Sequence, residues 1–196
     1  GLPTETDDDL EELAKLAEGI LAAARRVGRR NAEVKVSVGP FVPKSWTPFQ
    51  WEEFVPADEL QRRVGLLRDS FRRIRQAKLT WNDPTESRLE AVLSRGDRRL
   101  GPAVARAHDL GAVFDGWGEW LRLDAWDRAL AEHGIDVAGE IGGRELGATL
   151  PWDVIDALLR KGFLKAERRR AFLEAVTPDC RWGDCMRCGI PGDGLD

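Results

Sequence analysis

The sequence predicts an α/β fold with parallel strands in its first part and a mainly helical second part. At the start of the chain a strand exit, an amphipathic helix and a strand follow one another, which is the order typical of parallel α/β barrels and sheets. From about Asp83 onward, short helical patterns separated by glycines replace that order. We therefore place a boundary near residues 78–84.

The first helix begins at Thr6, whose hydroxyl group is a good N-terminal cap, and Asp7–Asp9 favour the positive end of the helix. Apolar residues then recur at helical spacing as far as Val27, and Gly28 is a suitable stop. The letters that precede this helix, GLPTET, indicate the tight exit from a strand.

A strand is predicted after the first helix. Val34, Val36 and Val38 alternate with polar residues, and a period of two is typical of a half-buried strand. Prolines at positions 40, 43, 48 and 56 exclude a helix or a central strand from the next segment, which we predict to be a shaped loop.

A second amphipathic helix is predicted from Pro56 through Ile74. Its polar face carries six arginines, Arg62, Arg63, Arg68, Arg72, Arg73 and Arg75. Arginines can hold a phosphate backbone, and Trp46, Trp51 and Trp81 can stack on bases. A solvated helix face and apolar anchors are the commoner roles of such residues, so the sequence gives nucleic acid only weak support as a partner.

The second part opens with the apolar step AKLTW, and Asp83, Pro84 and Glu86 then form a good helix start. Three short helices are predicted, over 84–95, 98–110 and 123–133. The letters LPWDVID predict a docking turn anchored by Trp152 and Ile155, and one last helix precedes the cysteines.

Composition narrows the class of protein. The net charge is −4, and no apolar run approaches the roughly 18 residues that a membrane helix needs, so we expect no membrane partner. Three cysteines without paired spacing argue against a secreted disulfide framework, so the sequence predicts a cytoplasmic protein. Because the chain opens at Gly1 and its only methionine is Met186, we expect an upstream part of the polypeptide.

The cysteines all lie in the nine letters CRWGDCMRC and are Cys180, Cys185 and Cys188. Thiolates that converge from a short loop are the ligands that zinc or an iron–sulfur cluster requires. A structural zinc site has four ligands, and the candidates for the fourth are Asp179, Asp184, Asp193 and His133. The spacing favours metal binding without choosing the metal, and the alternative is three surface thiols.

Two loops are the candidates for a functional rim, since the reactive groups of parallel α/β barrels lie on loops that leave the carboxyl ends of strands. In GLPTET, Gly1 and Thr4 allow backbone groups to approach a flat ligand, and Glu5 can accept hydrogen bonds. In FVPKSWTPFQW, Lys44 can meet a carboxylate or a phosphate. The alternative is that prolines and aromatic residues merely fold this loop over the end of the barrel.

These residues carry a family resemblance. The segments GLPTETDDDLEELAKLA and VSVGPFVPKSWTPFQW resemble the last strand–helix–strand portion of radical S-adenosylmethionine (SAM) enzymes. The blocks KLTWNDP, SRGDRRLGP, FDGW, LPWDVID and TPDCRWGDCMRCG are similar to the C-terminal run of an uncharacterised fused type, which has a cobalamin-binding-like domain ahead of the radical barrel. The resemblance covers nearly the whole chain.

The resemblance implies a domain plan. Residues 1–80 would be the C-terminal strand–helix units of a partial (β/α) TIM-type barrel, residues 81–175 a helical tail domain and residues 176–196 a cysteine-cluster tail.

It also implies site residues. Gly1, Thr4 and Glu5 match the fifth-strand motif, which lies near the adenine of SAM. The residues that match the barrel mouth are Phe41, Pro43, Lys44 and Thr47. The tail cysteines Cys180, Cys185 and Cys188 match a tail cluster, with zinc or an auxiliary iron–sulfur cluster as the implied occupant.

The implied activity is reductive cleavage of SAM at a 4Fe–4S cluster in the intact protein, followed by hydrogen abstraction from an unknown substrate. Cobalamin is a candidate further cofactor. The C-x3-C-x2-C loop that binds the catalytic cluster is absent from this chain. We therefore expect this portion to be inactive alone, and its partner to be the upstream half of the same polypeptide.

Two alternatives remain open at the level of sequence. The second hypothesis is a non-catalytic zinc or iron–sulfur module that recognises a partner or an RNA. Ile190 and Pro191 stand where related tails have another cysteine, so the resemblance does not supply a fourth thiolate. The tail can also serve a purely structural role, capping the open side of the barrel.

Overall fold

The computed structural model describes residues 1–191 of the chain. Over these residues the fold is mixed and mostly helical, with a two-stranded parallel sheet. The elements in chain order are α1 (Asp7–Arg26), β1 (Val34–Val38), α2 (Ala57–Phe71), β2 (Ala77–Trp81), α3 (Pro84–Arg95), α4 (Leu100–Asp109), α5 (Leu123–Glu132), α6 (Val137–Ile141), a 3-10 helix (Pro151–Val154) and α7 (Lys161–Phe172).

The chain divides into two compact units. The first contains residues 1–42 and 54–90, and the second contains residues 43–53 together with the chain from Ala91 onward. The segment 43–53, which follows β1 in sequence, therefore belongs to the same unit as the later helices.

The sheet of the first unit is a β–α–β crossover. β1 and β2 pair in parallel, in a register that places Val34 beside Ala77 and Val38 beside Trp81. The predicted parallel pairing is confirmed, and the partner of β1 is the segment AKLTW, which the sequence marked only as an apolar step.

Helices α1 and α2 cover one face of this sheet. The buried core residues are Leu10, Ala14, Ala17, Leu21, Leu67, Phe71 and Ile74, and alternate residues of both strands pack against them. Full burial of one such leucine or phenylalanine contributes about 1.5–3 kcal/mol, so this shared core holds the two strands under the two helices.

The other face of the sheet is polar. Lys35, Ser37 and Lys78 are exposed, and Thr80 is half-buried. Parallel strands that are buried on both faces are typically apolar throughout. The alternation in β1 and β2 therefore indicates that this second face does not belong to an apolar core.

The start of α1 is fixed by local chemistry, as the sequence predicts. The Thr6 hydroxyl oxygen accepts a hydrogen bond from the Asp9 backbone N–H at 3.3 Å, and the Asp9 carboxylate accepts one from the Thr6 N–H at 2.8 Å. This reciprocal capping satisfies two amide groups that would otherwise lack partners. The chain leaves the helix through Gly28, whose φ of 81° suits a residue without a side chain.

Among its described residues the second unit contains at least two apolar clusters. One joins the end of α3 to the next helices through Val92, Leu100, Ala103, Leu130 and Ile135. The other contains Trp51, Leu150, Trp152 and Leu164.

Several predicted boundaries need correction. α2 ends at Phe71 and not at Ile74, so Arg72, Arg73 and Arg75 lie in the connection to β2 and not on a helix face. In the predicted docking turn Trp152 is buried, whereas Ile155 is 60% exposed and anchors nothing.

No helix among residues 1–191 combines the length and the apolar character needed to cross a bilayer.

Candidate functional site

A cavity of about 210 Å³ lies in the first unit, at the carboxyl ends of the two parallel strands. Val38 and Trp81, the last residues of β1 and β2, form one side of it. Leucine and valine side chains of α1 and α2 form the apolar walls, and these are Leu10, Leu13, Leu60, Val64 and Leu67. Polar groups come from Glu5, Arg63 and Asn82. Ligands of parallel α/β proteins bind at this edge of the sheet, so this is the candidate functional site.

An ion pair sets the polar side of the cavity. Arg63 donates from Nη1 to Glu5 Oε2 at 2.8 Å. The Glu5 and Arg63 side chains are only 21% and 18% exposed. Because the pair is largely shielded from water, it holds the Glu5 carboxylate in one orientation at the cavity wall.

Arg63 is itself held from a second side. Its Nε donates to Glu59 Oε1 at 2.8 Å, one helical turn earlier on α2. The hydrogen bonds to Glu59 and then to Glu5 raise the pKa of the Arg63 guanidinium, although its partial burial opposes them. The i,i+4 spacing of Glu59 and Arg63 makes the first contact a consequence of helix geometry.

The rim of the cavity continues in a more exposed network. Arg62 donates to both carboxylate oxygens of Asp7, at 2.9 and 2.8 Å, and also to Glu59. Hydrogen bonds from Arg62 and Arg63 lower the pKa of Glu59 from 4.5 to about 2. Arg62 therefore joins the first turn of α1 to the first turn of α2, whereas Arg63 joins α2 to Glu5, which precedes α1.

This network predicts an acid-sensitive first unit. The folded-state pKa of Glu59 lies below its ordinary value, so its stabilising effect is present above about pH 4.5 and is lost as the pH falls toward about 2. We expect Glu59→Gln to lower the melting temperature at neutral pH and to flatten its dependence on pH within that window. Circular dichroism melts between about pH 2 and 7 measure both effects. Equal pH dependence in the variant, the parent and an exposed control, Glu11→Gln, would contradict the assignment.

Two glycines, Gly1 and Gly39, form part of the cavity wall close to neighbouring side chains. A Cβ atom placed on Gly1 would lie 3.2 Å from Leu60 Cδ2, and one on Gly39 would lie 3.4 Å from Asn82 Nδ2. Asn82 also donates its backbone N–H to the Val38 carbonyl oxygen at 3.2 Å, which extends the pairing of the strands by one residue. Both glycines line the cavity without a side chain, and Gly1 has little room for one beside Leu60.

The structure distributes the predicted site residues between the two units. Gly1 and Glu5 line the cavity, whereas Thr4 is exposed beside them. Phe41 is half-buried in the first unit. Pro43, Lys44 and Thr47 belong to the second unit, where the Thr47 hydroxyl donates to the Lys44 carbonyl oxygen at 2.7 Å.

Sequence reasoning missed three cavity residues. Arg63 was placed on a solvated arginine face, and its spacing from Glu59 was the signal that could have indicated a held side chain. Trp81 is the last residue of the apolar step AKLTW and Asn82 follows it, and that step was not predicted to be a strand. Once AKLTW is recognised as a strand parallel to β1, both residues fall at its carboxyl end.

The cysteine segment lies in the second unit. Cys180 and Cys185 are exposed, Cys188 is half-buried, and all three are free thiols. Among residues 1–191 no three histidine, cysteine or acidic side chains are grouped so that they could hold a metal ion. Asp179 binds Arg181, which lowers the pKa of the Asp179 carboxyl group, and Asp193 lies outside the described residues. As placed, the thiols do not fit a metal centre.

Comparison with known proteins gives one distant relative. The chain matches no family model and no solved structure. An uncharacterised protein of Methanocaldococcus jannaschii is 28% identical over 100 residues, which are 51% of this chain and 20% of that protein. The match thus spans about a fifth of the relative's length.

Proposed function

We propose that this chain is the carboxyl-terminal portion of a radical SAM enzyme and that the cavity at the carboxyl ends of β1 and β2 takes the adenosyl part of SAM. The observation that carries the proposal is the position of Gly1 and Glu5. These two residues match the SAM-proximal motif of the family, and both line the cavity beside the ends of two parallel strands.

The chemistry of the cavity fits an adenosyl group. Its apolar walls, including Trp81, suit the flat face of a purine ring. Glu5 can accept hydrogen bonds from an amino group or from sugar hydroxyls, and the hydrogen bond from Arg63 holds that carboxylate in one orientation. Gly1 and Gly39 line the cavity and carry no side chain.

The cover of helices on one face of the sheet also fits the proposal. In a (β/α) barrel, helices cover the outer face of the strands and the other face points inward. α1 and α2 cover one face here, and the exposed residues Lys35, Ser37 and Lys78 are on the other. We assign that polar face to the interior of a barrel whose remaining strands come from upstream of Gly1.

Within the intact enzyme, bound SAM and a reduced iron–sulfur cluster would supply hydrogen abstraction from the substrate. The residues of this chain would bind and orient the adenosyl group through Glu5, and the apolar walls would exclude water around it. The described cysteines do not fit a cluster, so we assign them no step in the reaction.

A cavity-filling pair tests the binding site in this chain. We expect Leu13→Trp to fill the cavity and abolish binding of SAM and of S-adenosylhomocysteine, measured by isothermal titration calorimetry, because Leu13 lines its wall. Leu16→Trp, on the same helix but 60% exposed, should bind like the parent. Failure of the parent to bind either compound, or unchanged binding by Leu13→Trp, would overturn the site.

The enzyme class is tested in the longer polypeptide. The proposal requires a C-x3-C-x2-C loop encoded upstream of Gly1. The polypeptide containing it, reconstituted with iron and sulfide without oxygen, should release 5′-deoxyadenosine and methionine from SAM when dithionite is added. Absence of the loop from the upstream coding sequence would reject the class.

A further inference from the structure

A second surface of the first unit carries a concentration of arginines. At the amino-terminal edge of the sheet, the connection from α1 to β1 meets the connection from α2 to β2. Their arginines, together with those of the last turn of α1, form what we call the arginine surface, and all seven are exposed: Arg25, Arg26, Arg29, Arg30, Arg72, Arg73 and Arg75. This edge is opposite to the one that holds the cavity.

Gln76 joins the two connections into one surface. Its Nε2 donates to the carbonyl oxygens of Arg30 and Ala32, both at 2.9 Å, and its Oε1 accepts from Arg25 Nη2 at 3.1 Å. The Gln76 carbonyl oxygen also accepts from the Val34 N–H at 2.9 Å, where β1 begins. These hydrogen bonds fix the backbones of the two connections to each other, so the arginines of both connections belong to one surface.

A groove of about 450 Å³ crosses the arginine surface. Arg25, Arg73 and Arg75 line it, and Leu21 and Ile74 contribute apolar side chains. The groove also contains Glu18, its one acidic lining residue among those described. A phosphate chain could thus lie along it with cations on both sides.

Helix electrostatics explain only part of this charge. Basic residues in a last turn favour the negative end of a helix, which accounts for Arg25 and Arg26 of α1. Arg29, Arg30 and Arg73 lie beyond the helices, where this effect has faded.

Neighbouring acids do not neutralise the surface. Arg72 pairs with Asp69 at 3.3 Å, and both side chains are more than 70% exposed. Arg26, Arg29, Arg30, Arg73 and Arg75 form no ion pair within the described residues, in contrast to Arg62 and Arg63 at the other edge. Like charges held together without counter-charges favour binding of an external polyanion.

We propose that the arginine surface binds the phosphate backbone of a nucleic acid. The arginines spread over two connections, which suits several successive phosphates better than one small anion. In the two connections, residues 27–33 and 72–76, Val27 is the one large apolar side chain that is exposed. An amphipathic face that binds a membrane presents more apolar surface than this. Nothing on this surface reads base edges, so we expect binding without sequence preference.

Fluorescence anisotropy with labelled 20-nucleotide RNA and DNA, single-stranded and duplex, tests the proposal on the full chain at about 50 mM salt. We expect a dissociation constant in the range of about 10⁻⁴ to 10⁻⁶ M, with affinity falling steeply as salt rises. The double variant Arg73→Glu with Arg75→Glu should weaken binding by at least about tenfold. The matched control, Arg98→Glu with Arg187→Glu, reverses two exposed arginines of the second unit and should change it by less than about twofold.

Other outcomes would overturn the proposal. If both double variants lost the same affinity, binding would depend on the total charge of the chain and not on the arginine surface. If the parent did not bind nucleic acid at low salt, the surface would not have this role. Tighter binding to phosphatidylcholine vesicles containing phosphatidylserine than to nucleic acid would assign the surface to a membrane. Complete competition by millimolar inorganic phosphate would reduce it to a site for single anions. Leu13→Trp should leave nucleic-acid binding unchanged, since it alters the opposite edge of the sheet.

Discussion

Replacing Arg95 with methionine should destabilise the second unit by about 3–5 kcal/mol, because the change leaves several buried carbonyl groups without a donor. The Arg95 side chain is fully buried at the end of α3. It donates to the carbonyl oxygens of Gly142 at 2.8 Å, Glu140 at 3.2 Å, Gln50 at 3.3 Å and Pro43 at 3.4 Å. One guanidinium group thus joins α3 to the segment 43–53 and to the end of α6.

An apolar replacement cannot compensate for this loss. Where both partners of a buried pair are side chains, apolar residues can replace them at little cost. The partners of Arg95 are backbone carbonyl groups, which remain in place in every variant. Burial, together with the positive charge of Arg144, lowers the pKa of Arg95 to about 10. The folded state thus makes the charged guanidinium group less stable than it is in water, and the hydrogen bonds to the four carbonyl groups offset this cost.

Urea unfolding followed by tryptophan fluorescence measures the effect, since every tryptophan except Trp81 belongs to the second unit. Arg95→Lys should fall between the parent and Arg95→Met, because an ammonium group cannot reach carbonyls in so many directions. Arg98→Met, at an exposed position three residues later, should stay within about 0.5 kcal/mol of the parent. An effect of Arg95→Met below about 1 kcal/mol would mean that the carbonyl groups find other donors.

Arg95 also shows where sequence reasoning stopped. Local signals were sufficient for α1 and β1, because the Thr6 cap and the alternation of valines act within a few residues. Arg95 looks locally like a surface residue at the end of a helix. Its burial depends on carbonyl groups about 45 to 52 positions away in the sequence, and no local pattern encodes such contacts.

The candidate site was predictable in part for the same reason. Gly1 and Glu5 belong to a recognisable strand-exit motif, and the structure places both at the cavity. Trp81 was considered only for stacking on bases and Asn82 was not considered, because the five residues of β2 become recognisable as a strand only through their pairing with β1.

The second large effect is expected in the first unit, where Phe71→Ala should cost about 3–5 kcal/mol. Phe71 is the last residue of α2 and is 5% exposed, within the core that both helices share with the sheet. Removing the ring loses its burial and leaves a cavity among Leu21, Leu67 and Ile74. Leu21 and Leu67 are held in α1 and α2, so the surrounding residues can close the cavity only partly.

Phe71 matters more than its size suggests because two strands do not form a stable sheet alone. β1 and β2 are held in register by the apolar cover of α1 and α2, so loss of that cover at Phe71 should release the pairing itself. Hydrogen exchange followed by mass spectrometry should show faster exchange in peptides that contain residues 34–38 and 77–81. Leu16→Ala, at a 60% exposed position of α1, should leave those peptides protected. Retained protection in Phe71→Ala would mean that contacts other than the helix cover hold the strands together.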